Sequence, residues 1–355
     1  MALSKLLQPN IESPRAREAV DSVAGGAGVV QIEGLAAAAK GWMLANIHAR
    51  TRRTMLVVTY THEQAERIAE DLPLYGIPAD QVLFYPSSDS MIYEDGPPDF
   101  SVIGERLCAL HSLLFGEASV VVATVNAALR RTLPRSALLR SYASVKVGDE
   151  IDLDRFVELL VSMGYEHTDV VDRHGEFSRR GGIVDVFASN ADTPLRIDLF
   201  GDRIESIRHF DSATQRSTGR VDSALILPSR EVLPDRDNAP KAAQRVREEL
   251  AAQIRGLDGA ENSEAAERLA AKTEDAITNL ENLAFFDDIE FYLPYLYTEE
   301  CSIFDYLPSD AILVLDEPMQ IKSHWEHHEA GMLETLINRA GRGLLLASQK
   351  RQHVA

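Results

Sequence analysis

Cysteine is almost absent. Cys108 and Cys301 are the two cysteines in a chain of 355 residues, too few and too far apart for a disulfide framework or a cysteine-based metal knuckle, and they fit a reducing, cytoplasmic setting. Long apolar runs are missing as well. Nothing approaches the ~20 residues of a membrane span, and residues 1–14 carry Lys5, Asn10, Glu12 and an early proline where a signal peptide would have its apolar core. The expectation is a protein neither exported nor embedded in a membrane. Basic residues are the third shortage: 36 Lys and Arg face 55 Asp and Glu, leaving a net charge of −19. That charge opposes the counterion release behind sequence-independent DNA binding. Lysine disappears altogether between Val147 and Pro240, where arginine is plentiful. Arginine alone points to planar, bidentate contacts in place of a diffuse basic field.

What is present suffices for a packed interior. With 45% hydrophobic and 26% charged residues the chain is of globular type, and its length predicts two or three domains. Apolar runs at 29–32, 55–59, 81–85 and 119–124 alternate with helix-forming stretches at about 35–49, 63–72 and 105–115. That alternation predicts a parallel, doubly wound α/β sheet. From 144 the texture changes to short strands, 144–147, 183–187, 195–200 and 204–210, with glycine-bearing turns between them and one helix at 153–163. This predicts an α+β insert with a largely antiparallel sheet. Helices follow at 241–255 and 264–283 around a polar break at 256–263, then an aromatic region at 285–306, a buried-type strand at 311–315 and helix out to 339. The late strand belongs with the first α/β region, so the insert is expected to split one domain, giving segments 1–128, 129–225 and 226–355.

Three constellations could carry chemistry. The first is the turn Gly34-Leu35-Ala36-Ala37-Ala38-Ala39-Lys40-Gly41. A working phosphate loop needs glycine before the lysine, to let backbone N–H groups wrap phosphates, and Ser or Thr after it to ligate magnesium. Those positions hold Ala39 and Gly41. Read alone, this is an ordinary turn with a solvent lysine; the apolar strand ending in Asp316-Glu317 adds weight to a phosphate loop that has lost its chemistry, because nucleotide hydrolases hold magnesium with such acids. Pro318 after Glu317 equally marks a helix start. The second constellation joins residues 177–187 to Arg196-Ile197-Asp198-Leu199-Phe200. The two-residue period of a strand sets Arg196, Asp198 and Phe200 on one face and Ile197 and Leu199 on the other. Arginine and aromatics without lysine suit a protein interface, while a solvated charged sheet face accounts for the same letters. The third is His324 and His328, four apart on one helix face, which lacks a visible third ligand and reads equally as a polar helix. No metal site is assigned.

The residues also carry a resemblance. Gly164-Tyr165, His174-Gly175-Glu176-Phe177, Arg180-Gly181, Asp185-Val186-Phe187, Arg196 to Asp202, Ile204 to Ile207 and Phe210-Asp211 resemble the signature of the domain shared by UvrB and the bacterial transcription-repair coupling factor, Mfd. Thr214-Gln215-Arg216, Tyr85-Pro86 with Tyr93-Glu94, Glu105-Arg106-Leu107 with Leu110, and Phe304 to Pro308 resemble the coupling-factor version. UvrB differs in an intact phosphate loop and in a long aromatic hairpin that the region between Pro86 and Phe100 lacks.

The resemblance implies a degenerate helicase-like α/β domain (1–128, with 226–355 as its second segment and helical extension), split by a UvrA-binding insert at 129–225. It implies an adaptor without catalytic activity and without cofactor. ATP and magnesium would belong to motor domains outside these residues, as would contacts to RNA polymerase and DNA; the chain itself is expected to be the amino-terminal part of a coupling-factor-like protein. Residue by residue, the UvrA contacts carry over to Arg180, Arg196 and Asp198, with Phe187 either an apolar neighbour or core. Glu166 stands where the family commonly has arginine, and Ser178 where UvrB has another. The degenerate nucleotide site comprises Gly34, Ala39, Lys40, Gly41, Asp316 and Glu317. The alternative reading is a UvrB-like ATP-dependent damage clamp.

Overall fold

The computed structural model describes residues 13–26, 28–87, 99–256 and 263–354. The expectations for the first twelve residues, for Tyr93-Glu94 and the missing hairpin at 88–98, and for the polar break at 257–262 lie outside the described residues. The chain divides into two compact units, each assembled from three stretches: 1–87, 109–128 and 303–328 form the first, and 88–108, 129–302 and 329–355 the second.

The first unit is built on a four-stranded parallel sheet in the order β12 (Ile312–Leu315), β1 (Met55–Thr59), β3 (Val120–Thr124), β2 (Val82–Tyr85). Strands β1 and β3 are buried at every residue. Near-continuous apolar runs are what a parallel strand covered on both faces requires. The helix His62–Leu74 starts where the Thr61 hydroxyl accepts the Gln64 N–H at 3.3 Å, and it turns Ala65, Ile68 and Leu72 inward. These pack with Met43 and Ile47 of the helix Ala37–Thr51 against Met55, Val57, Val120 and Val122.

The run 29–32 is not a strand, contrary to its β-branched composition. Residues 28–36 form no regular element, and Val29 is 93% exposed while Ile32 and Leu35 still touch the core. A strand exists only through its ladder, and among the described residues no strand pairs with this segment.

The second unit holds a six-stranded sheet in the order β10 (Ser217–Val221), β9 (Arg203–Phe210), β8 (Leu195–Phe200), β7 (Ile183–Val186), β6 (Glu176–Arg180), β5 (Glu166–His167). All its pairings are antiparallel except β5 with β6. A two-stranded antiparallel sheet, β4 (Ala143–Lys146) with β11 (Ser223–Ile226), adds Ala143, Val145 and Ile226 to the same core. The helix Leu153–Ser162 is capped by Asp152, whose carboxylate accepts the Asp154 and Arg155 N–H groups at 3.0 and 3.1 Å. It presses Phe156 and Leu160 onto Val184, Val186, Ile197 and Ile207. The fold class is therefore α/β with a parallel sheet, accompanied by an α+β region of antiparallel sheets.

Two features tie this sheet to its surroundings within the second unit. At Gly104, in the helix Phe100–Phe115, a Cβ would lie 1.9 Å from the Ser189 carbonyl oxygen, so glycine alone permits the approach. Arg106, two residues on, is completely buried and pairs bidentately with Glu231, whose carboxylate also accepts the Thr132 hydroxyl at 3.0 Å. The unit also contains the helices Ala239–Gly256 and Ser263–Glu281.

Candidate functional site

The alternation read from β8 holds. Leu195 and Ile197 are buried in the core, while Arg196, Asp198 and Phe200 share the outer face, Phe200 being 77% exposed. Strand register extends this face sideways. One row across the sheet runs Ser178, Asp185, Arg196, Arg208, Arg220, and the next runs Arg180, Ile183, Asp198, Ser206. Four arginines therefore share one sheet face with two aspartates.

The aspartates arrange the arginines. Asp185, 3% exposed, receives two parallel bonds from Arg196, Nε at 2.7 Å and Nη2 at 2.8 Å, and the guanidinium lies 4.8 Å from the centre of the Phe210 ring. This hydrogen bonding holds Arg196 more firmly charged than an ordinary arginine, burial opposing it. Asp198 accepts the Ser206 hydroxyl at 2.7 Å and pairs with Arg208. Arg180 is exposed and donates to the Asp169 carbonyl at 2.6 Å. Phe187 is 8% exposed, clusters with Val171 and Phe210 apart from the main core, and stacks on His174 at 4.0 Å between ring centres. Sequence reasoning missed Arg208 and Arg220, whose place follows only from cross-strand register.

Much of the remaining signature is structural. Gly164 has φ +88° and faces Arg230 and Ser229 so closely that a Cβ would meet both under 3.0 Å. Tyr165 donates to the Leu227 carbonyl at 2.6 Å and accepts the Ser189 N–H at 3.2 Å. Glu176 accepts N–H groups of Asp172 and Arg173 and both Nε and Nη2 of Arg173. Burial would raise its pKa, but these bonds outweigh burial and hold it below the usual glutamate value. Ser178 is buried, donating to the Asp169 carbonyl at 3.2 Å, and Glu166 is exposed on β5.

In the first unit, Lys40 meets the acids that sequence reasoning placed with it. Its Nζ lies 2.7 Å from Asp316 and 2.9 Å from Glu317, and Asp316 also accepts the Thr59 hydroxyl at 3.2 Å. Burial alone would lower the Lys40 pKa; the two carboxylates outweigh it and hold the ammonium above the ordinary lysine value. Gly34 keeps the left-handed backbone of a tight turn, φ +79°. Gly41 faces the next helix: a Cβ there would stand 3.1 Å from the Tyr75 ring and 3.2 Å from Asp71. The Ser or Thr of a working phosphate loop has no room at this position without moving those side chains.

These residues do not fit ATP and magnesium. The ammonium already pairs with the acids that would hold the metal, Ala39 stands in place of the glycine, and Gly41 carries no hydroxyl. Titration with a fluorescent ATP analogue plus magnesium should show no Lys40-dependent saturation below roughly millimolar. Micromolar binding that Lys40→Ala abolishes would instead support the damage-clamp reading. Among the described residues no group of three or more His, Cys, Asp or Glu could hold a metal, so His324 and His328 gain no third ligand. Also among them, no helix is long and apolar enough to cross a membrane.

Comparison with known proteins bears on the sheet. The family model described as UvrB interaction domain matches residues 143–231, the segment that contains β4 to β11. The transcription-repair-coupling factor of Bacillus subtilis (strain 168) is 30% identical over 316 residues, 89% of this chain and 26% of the relative. The chain is thus a module similar over most of its length to part of the transcription-repair coupling factors, and it contains a match to the UvrB interaction domain. The factor of Myxococcus xanthus is 35% identical to the module over 224 residues, 61% of this chain and 19% of that protein. That of Staphylococcus aureus (strain MSSA476) is 29% identical over 303 residues, 82% and 24% respectively. The module thus spans about a quarter of the length of these coupling factors.

Proposed function

We propose that the module is a UvrB-like adaptor that docks UvrA on the outer face of the six-stranded sheet and so brings UvrA to stalled RNA polymerase in transcription-coupled nucleotide excision repair. One observation carries this reading: inside the stretch matched to the UvrB interaction domain, a lysine-free sheet face presents Arg180, Arg196, Arg208 and Arg220 around Asp185 and Asp198. Guanidinium forks fixed on a rigid sheet suit carboxylates of a protein partner. Contacts to RNA polymerase and DNA, and ATP-driven release of polymerase, belong to the remaining three quarters of a complete coupling factor.

Calorimetry with purified UvrA tests the reading. Arg180 is exposed and donates to the Asp169 backbone carbonyl, so Arg180→Ala should weaken UvrA binding at least about tenfold while leaving unfolding unchanged. Unaltered affinity in Arg180→Ala together with Arg208→Ala would overturn the assignment of this face. The damage-clamp alternative is disfavoured by Gly41, which supplies no magnesium hydroxyl and where a Cβ would crowd Tyr75 and Asp71.

A further inference from the structure

A cleft of about 330 Å³ opens in the second unit, lined by none of the residues of the outer sheet face. Its walls come from the helix Ala239–Gly256, which supplies Arg245 and Glu249, from the segment around Pro294 to Glu300, and from Ser348 and Arg351. Three guanidinium groups converge there in a chain of net charge −19.

Backbone carbonyls take most of what they donate. Arg131, 3% exposed at its side chain, donates to the carbonyls of Tyr297 at 3.1 Å, Glu299 at 3.4 Å and Arg351 at 3.4 Å, keeps a buried Nε–H without an acceptor, and has Glu300 as its ion-pair partner at 3.8 Å. Arg245 donates to the Tyr295 carbonyl at 2.7 Å. Among the described residues no carboxylate lies within ion-pair distance of Arg245 or Arg351. Burial lowers the Arg131 pKa and the nearby charge of Arg351 lowers it further, Glu300 opposing both. A cluster of cations this close is relieved by an anion that takes more than one fork, and a phosphate dianion offers several oxygens where a carboxylate offers two.

The two acids refine the ligand. Glu249, which accepts the Ser348 N–H at 2.7 Å, and Glu300 both line the cleft. Either would repel a bare phosphate and accept hydrogen bonds from hydroxyl groups beside one. The volume also exceeds what inorganic phosphate fills and suits a small organic molecule.

We propose that this cleft is a binding site for a small phosphate ester carrying hydroxyl groups, its phosphate held by Arg131, Arg245 and Arg351 and its hydroxyls by Glu249 and Glu300. The cleft shares no residue with the proposed docking face or with the Lys40 cluster.

The test is titration of the 355-residue chain with ribose 5-phosphate, inorganic phosphate and ribose, followed by calorimetry and by amide shifts of Thr298, Ser348 and Arg351. Ribose 5-phosphate should saturate at about millimolar or below, at least tenfold tighter than inorganic phosphate, with ribose not binding. Arg351→Ala and Arg245→Ala should each weaken it at least about tenfold; Arg220→Ala on the sheet face and Lys40→Ala should leave it unchanged. Both cleft arginines lie at the surface or half-buried, so their variants are expected to fold; circular dichroism checks this, and Arg351→Lys, which keeps the charge and loses the fork, should fall between. Absence of saturation, or equal loss in Arg220→Ala, would overturn the proposal by showing no site or a general charge effect.

Discussion

Replacing Arg106 by leucine should destabilise the second unit by about 3–5 kcal/mol, measured by urea unfolding and by hydrogen exchange of the β6 to β8 amides. The guanidinium is wholly buried and its two bonds to Glu231 are the compensation for taking both charges out of water. Leucine matches much of the volume but leaves Glu231, 8% exposed at its side chain, with the Thr132 hydroxyl. A carboxylate left in that position loses far more than the pair's net contribution to folding, because the desolvation remains and the attraction does not. The double variant Arg106→Leu with Glu231→Leu removes both charges and should recover most of the loss. A single variant within about 1 kcal/mol of the parent, or a double variant no better than the single, would show that the pair is not what holds this region.

Arg196→Ala should move two readouts together. It removes a candidate UvrA contact, which predicts at least about a tenfold loss of affinity. It also strips Asp185 of both its guanidinium bonds in a position 3% exposed, which predicts a loss of about 3 kcal/mol in the sheet. The pair's place in the fold gives this arginine a structural share beside any part in docking. Comparison with Arg180→Ala separates the effects, since that variant should lose affinity alone. If Arg196→Ala, assayed where it is still folded, binds UvrA as the parent does, Arg196 is a structural residue and docking rests on its neighbours.

Legibility in the sequence tracked the range of the interaction. The β8 face was readable because a strand with one buried side has a period of two, and Ile197 and Leu199 mark the inward set. The buried strands β1 and β3 were readable as apolar runs rich in β-branched residues. The same criterion failed at 29–32, where composition satisfied the rule and no ladder partner exists. It also passed over β6, whose Glu-Phe-Ser-Arg-Arg run looks polar because Glu176 and Ser178 are buried through hydrogen bonds, not through apolar character. Lys40 with Asp316 and Glu317 was legible across 277 positions because both ends belong to one recognisable motif pair. Arg106 with Glu231 was not: 125 residues separate them, and a charged residue on an amphipathic helix reads as solvent-facing until the chain that covers it is known. Asp185 with Arg196 needed the register of β7 on β8, which no local pattern supplies.

The paired arginines on the outer sheet have a consequence for timing and cost. A long arginine side chain free in solution carries about 2 kcal/mol of rotamer entropy, surrendered when its fork is immobilised. Arg196 on Asp185 and Arg208 on Asp198 surrender it during folding. A partner arriving at this face meets forks already aimed, so the ordering penalty falls on the stability of the sheet and is absent from the encounter. Such a surface should associate with little rearrangement, its selectivity residing in where carboxylates sit on the partner and not in how the arginines adapt to them.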